Sequence, residues 1–117
     1  MTAQAAVAGA SPADQGPLGP PPVPVIENIH QVIYEAASQP GALEMTDWHT
    51  CEQTHCRAGW TVAKAGEAGR ALEQFFNTEL AAMKIYAASG YAINPARFYD
   101  KNDAALEDMR RLAEQGQ

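Results

Sequence analysis

Apolar side chains recur at helical spacing through most of the chain beyond residue 24 and almost nowhere before it. Between Val25 and Ser38, Ile26, Ile29, Ile33 and Ala36 fall at i, i+3, i+7 and i+10, Val32 and Ala37 widen the stripe, and Glu27, Gln31 and Glu35 lie opposite. This predicts an amphipathic helix that Pro40-Gly41 ends. His30, at the edge of the apolar face, reads as a packed helix residue rather than a ligand. A second helix is expected after Thr54, which stands where an N-cap would, so that His55 and Cys56 fall in the first turn. Its small residues, Ala58, Val62, Ala65, Gly66 and Gly69, suit the close approach of another helix. Each glycine lowers helix propensity by about 1 kcal/mol, which predicts a break at residues 66–69 and a short helix on to Phe75 or Phe76. Asn77 or Thr78 caps the next helix, with Leu80, Met83, Tyr86 and Ala87 on its buried side and Gly90 just past its end. After a rigid connector centred on Pro95, Asn102 is expected to cap a last helix carrying Ala105, Leu106, Met109 and Leu112. In that helix Asp103, Glu107 and Asp108 lie near the start and Arg110 and Arg111 toward the end, a polarity that suits the dipole. No stretch alternates as a strand over four or more residues. The fold expected is all-α, a compact bundle of about five short helices over residues 25–115.

Composition adds a second region. Residues 1–24 hold six of the eight prolines and almost no large apolar side chain. Such a segment cannot bury enough surface to offset its ordering entropy, so a disordered Pro/Ala/Gly-rich tail is expected, stiffening toward polyproline II from Pro17. It contains P-x-x-P spacings, but no Arg or Lys flanks them, which favours a spacer over a ligand. A chain of 117 residues holds one domain at most, here over residues 25–115.

The formal charge of −6 is uneven. No Lys or Arg precedes Arg57, whereas eight basic and eight acidic residues cancel from there on. Without a basic stripe the chain lacks the electrostatic footprint of a nucleic-acid binder. No run is apolar enough to span a membrane. Two cysteines are too few for a disulfide framework, and no basic and apolar leader opens the sequence. The expectation is a cytoplasmic protein with reduced thiols.

The chemistry concentrates in W-H-T-C-E-Q-T-H-C-R-A-G-W, Trp48 to Trp60, which holds both cysteines, both tryptophans and two of the three histidines. As a metal site, His49, Cys51, His55 and Cys56 offer the N/S donors that zinc takes, but adjacent His55 and Cys56 depart from the usual paired spacing. As a thiol site, Cys56 would be a helix-terminal nucleophile with Cys51 as resolving partner and His55 beside it, although no Asp or Asn is placed to orient a histidine. As a packing element, the cysteines would be small buried residues, His49 and His55 would bond loop backbone, and Trp48 and Trp60 would flank the turn. The last reading is preferred, with Trp48, Thr54, Ala58, Gly59 and Trp60 as its structural motif and no cofactor required.

The decapeptide Cys51 to Trp60, followed by A-G-E-A-G-R-A-L-E over residues 65–73, resembles a group of small, largely uncharacterised bacterial and phage proteins. Their signature reads roughly C-G-T-x-x-C-x-A-G-W. The resemblance spans about residues 26–112, is most specific in A-G-W, and departs at Glu52, where many members have Gly. It implies a helical fold neighbourhood and a bacterial or phage origin, without an activity to carry over. The function expected is therefore that of a small non-catalytic accessory or interaction protein that binds another macromolecule through its helical domain, with a protein as the expected partner. The alternative is a zinc- or thiol-dependent activity centred on residues 49–56.

Overall fold

A computed structural model describes residues 19–116; the expectation of a disordered tail lies, for residues 1–18, outside the described residues. Residues 19–25 run without regular secondary structure, mostly exposed, until Ile26 anchors the chain in the core, its N–H donating to Ser89 Oγ at 2.9 Å. Among the described residues are five α-helices, one 3-10 helix and one two-stranded hairpin.

Helix α1, Ile29–Ala37, buries Ile29, Ile33 and Ala37, the expected stripe. It begins four residues later than the periodicity predicted, because Asn28 adopts a left-handed conformation (φ 56°) and Val25 stays exposed. Asn tolerates that region better than most residues, so it serves as the entry turn.

The chain next forms a hairpin of β1, His49–Cys51, and β2, Thr54–His55, antiparallel with His49 opposite His55 and Cys51 opposite Thr54. Three and two residues are too few to alternate detectably, which is why the pattern predicted no strand. A parallel bridge from Leu43 to His55 ties the preceding loop to the other edge of β2, through His55 N–H to the Ala42 carbonyl at 3.1 Å and Glu44 N–H to the His55 carbonyl at 3.1 Å.

Helix α2, Arg57–Lys64, is central and packs against α1, α3 and α4. The break expected near Gly66 falls there, with φ +69°, and starts α3, Gly66–Phe75. A methyl on Gly69 would lie 2.4 Å from the Val62 carbonyl oxygen, so the A-G-E-A-G element lets α3 turn tightly onto α2. Asn77 caps α4, Thr78–Ala88, its Oδ1 accepting from Leu80 N–H at 2.7 Å, and Gly90 follows with φ +101°. Pro95–Tyr99 form a 3-10 helix that leads to α5, Asn102–Gln115, which packs along α1. Asn102 is not the cap expected of it. Lys101 occupies that position, while the Asn102 side chain accepts from Met45 N–H at 2.8 Å and donates to the Leu43 carbonyl, fastening the loop before the hairpin to α5.

At the centre lies a feature the periodicity did not predict. Arg57 is completely buried, donating through Nη1 to Asp108 Oδ2 at 2.8 Å and through Nε to the Tyr86 hydroxyl at 3.2 Å. Glu107 remains on the surface with Arg110, whereas Asp108 bridges Arg57 and Arg111. His30 packs as expected, edge-on to Tyr91 with ring centroids 4.7 Å apart. No helix among the described residues is long and apolar enough to cross a membrane.

Candidate functional site

The segment Trp48 to Trp60 folds into a knot whose two ends meet. The hairpin reverses the chain so that the Trp48 carbonyl returns over the start of α2, where it accepts the Cys56 N–H at 3.3 Å. There is room for this crossing only because residue 59 has no side chain: a methyl group on Gly59 would sit 1.9 Å from the Trp48 carbonyl oxygen. The A-G-W element thus has a local cause. Ala58 fills the core, Gly59 admits the crossing strand, and Trp60 donates from Nε1 to the Ala42 carbonyl at 2.7 Å.

The N-cap of α2 is Cys56 rather than Thr54. The Cys56 sulfur accepts from Gly59 N–H at 3.3 Å, while Thr54 lies in β2 and donates from Oγ1 to the Gly41 carbonyl at 2.8 Å. Consequently His55 is not in a helical turn but in the hairpin. Burial pushes the Cys56 thiol up, outweighing the backbone N–H of Gly59, so the helix terminus does not make it a thiolate. Cys51, expected to be buried, is exposed in β1, and hydrogen bonds from the Gln53 backbone and then Thr54 hold its thiol below the ordinary value.

His49 and His55, opposite one another in the hairpin register, meet through their Nδ1 atoms at 2.7 Å. His55 Nε2 bonds the Glu52 carbonyl at 2.9 Å, as the packing reading expected. His49 bonds no backbone group; its Nε2 bonds Glu73 Oε2 at 2.7 Å, and that oxygen also accepts from Thr78 Oγ1 at 2.7 Å. A carbonyl only accepts, so His55 Nε2 carries a hydrogen, and the contact between the two Nδ1 atoms is a hydrogen bond between the rings. Burial foremost, with the neighbouring His49, holds His55 below its ordinary value against the bond to Glu52, so protonation of this ring is resisted.

All four imidazole nitrogens of the pair are engaged within the protein. Two nitrogens on one tetrahedral zinc stand roughly 3.3 Å apart, given Zn–N bonds of about 2.05 Å, so binding through both Nδ1 atoms would require the pair to open. Among the described residues no three His, Cys, Asp or Glu side chains are grouped to hold a metal ion.

Trp60 packs inward, edge-on to His55 with centroids 4.6 Å apart. Trp48 points the other way. The residue is 36% exposed, and its ring meets that of Tyr99, itself 66% exposed, edge to face at 6.2 Å. Tyr99 in turn donates its hydroxyl to Glu79. Two clefts flank Trp48, one of about 500 Å3 bounded by Glu73, Glu79, Leu80 and Met83, the other of about 530 Å3 bounded by Met45, Asp47, Phe98 and Tyr99. Sequence reasoning singled out Trp48 but missed Glu73, Glu79 and Tyr99, which stand 25, 31 and 51 residues away with no motif to link them.

No protein-family model, curated protein or solved structure matches this chain.

Proposed function

We propose that this chain is a small non-catalytic interaction protein of the cytoplasm that binds another protein through the face carrying Trp48 and Tyr99. One observation carries the reading. The Trp48 backbone is locked into the knot while its ring is held out beside Tyr99 between two clefts. Tryptophan and tyrosine on a rigid support bury large area at little loss of conformational freedom, the character of residues that dominate binding energy at protein interfaces. The engaged imidazoles and the buried Cys56 favour a supporting role for the rest of the patch.

The test is site-specific photo-crosslinking in cells that produce the protein, with the reactive group at position 99 and, as control, at position 114 on the distant end of α5. A discrete partner captured from position 99, absent from position 114 and lost with Trp48→Ala, is expected. The same products from both positions would refute the reading.

A second reading has its own support. The exposed Cys51, with its thiol held below the ordinary value, favours thiol chemistry there rather than at Cys56. A disulfide-linked or oxidised product that forms at Cys51 under mild peroxide and is reversed by a thiol reductant would advance it; an inert Cys51 would remove it.

A further inference from the structure

The chemistry of the two clefts deepens the interaction reading, on which this inference rests, by specifying what the partner presents. The first cleft combines an aromatic wall, Trp48, with two carboxylates and an apolar floor. Glu73 and Glu79 are each engaged through one oxygen only: Oε2 of Glu73 accepts from His49 and Thr78, and Oε1 of Glu79 accepts from Tyr99. The other oxygen of each carboxylate has no protein donor among the described residues. Leu80 and Met83 offer the floor. No Lys or Arg lines either cleft, and Asp47 adds a further carboxylate on the far side of Trp48.

We infer that the first cleft receives a lysine or arginine side chain from an extended segment of the partner protein, and that an apolar side chain two residues along that segment enters the second cleft. The aliphatic stem of such a residue lies on Leu80 and Met83, its cation meets the Trp48 ring and the free carboxylate oxygens, and the charge of the site is matched. A neutral or acidic side chain there would desolvate the carboxylates without a partner. Alternate side chains on an extended strand stand on one face, roughly 6.6 Å apart, and Trp48 lines both clefts, so one segment can address both. In the second cleft Met45 and Phe98 provide the apolar lining. The chain's own N-terminal segment is not the occupant, because its first 24 residues contain no Lys or Arg.

The test uses the full chain, isotope-labelled, titrated at low salt with the blocked pentapeptide Gly-Arg-Ala-Leu-Gly, its counterpart with Glu in place of Arg, and spermine. The arginine peptide is expected to shift the Trp48 indole resonance and the amide of Leu80, and to bind about tenfold more tightly than the glutamate peptide. Glu79→Gln, which keeps an acceptor for Tyr99, should weaken it about fivefold with the circular dichroism spectrum unchanged. Equal binding of the two peptides, insensitivity to Glu79→Gln, or no shift at Trp48 would overturn the cationic specificity, while the crosslinking result at position 99 judges the interaction reading separately. Spermine binding as tightly as the arginine peptide would overturn a protein segment as the source of the cation.

Discussion

Gly59→Ala is the substitution whose outcome the knot determines most sharply. On helix propensity alone, replacing a glycine inside α2 by alanine should stabilise the protein by about 1 kcal/mol. The structure demands the opposite sign. The new methyl would lie 1.9 Å from the Trp48 carbonyl oxygen and 3.0 Å from His55 Cβ, so backbone must move by more than an ångström on one side or the other. Overpacking of this kind costs about 1–3 kcal/mol. Displacing the Trp48 carbonyl also breaks its bond from Cys56 N–H and leaves a buried donor unmet, a further 1–3 kcal/mol or so. Set against the propensity gain, the net expectation is a loss of about 1–5 kcal/mol, equivalent to a fall in melting temperature of roughly 4–40 °C for a domain of this size. Urea unfolding followed by circular dichroism measures it, together with tryptophan fluorescence to register movement of Trp48. Stability equal to or above that of the parent protein would refute the crossing of Trp48 over α2.

Three further outcomes follow from the same geometry. Under native conditions iodoacetamide should modify Cys51 and leave Cys56 unreacted until denaturant is added, as read by peptide mass mapping; equal native rates at the two thiols would contradict the burial of Cys56. Asp108→Ala should destabilise by about 3–5 kcal/mol in chemical denaturation, because it strands the Arg57 charge in the core with only Tyr86 beside it, whereas a change under 1 kcal/mol would mean that the pair is not buried. Stability should also decline as pH falls below the ordinary histidine value of 6.5, since burial holds both His55 and His30 below it, so that the unfolded chain binds more protons than the native one in that window. A second decline should follow below 3.8: burial opposes ionisation of Asp108, but the bonds from Arg57 and Arg111 prevail and hold it below that value. Flat stability from pH 7 to 5 would contradict the placement of the two histidines.

The helices were legible because their information is local. The stripe of Ile29 and Ile33, the Asn77 cap and the glycines at 66 and 90 each act within one or two turns of where they stand. The site was legible only as a concentration of residue types. Thr54 looks the better cap, yet the hairpin claims it, and the cap passes to Cys56, whose sulfur is a weaker acceptor. Nothing in spacing pairs Arg57 with Asp108, or His49 with Glu73, because those contacts close loops of 51 and 24 residues. One signal was present: Arg57 is the first basic residue of the chain and stands between Cys56 and Ala58, both destined for the core. A lone arginine in such a run calls for a distant carboxylate.

The central claim is that the histidines of the patch are committed to holding the knot, leaving Trp48 as its working surface. Nitrogen-15 NMR of the imidazole rings, recorded at neutral pH with and without one equivalent of zinc, tests it most directly. One strongly deshielded, slowly exchanging proton between the Nδ1 atoms of His49 and His55, an Nε2–H signal on His55, and no change on adding zinc are expected. Two rings with no proton between them, or zinc-dependent shifts of both Nδ1 resonances, would contradict it.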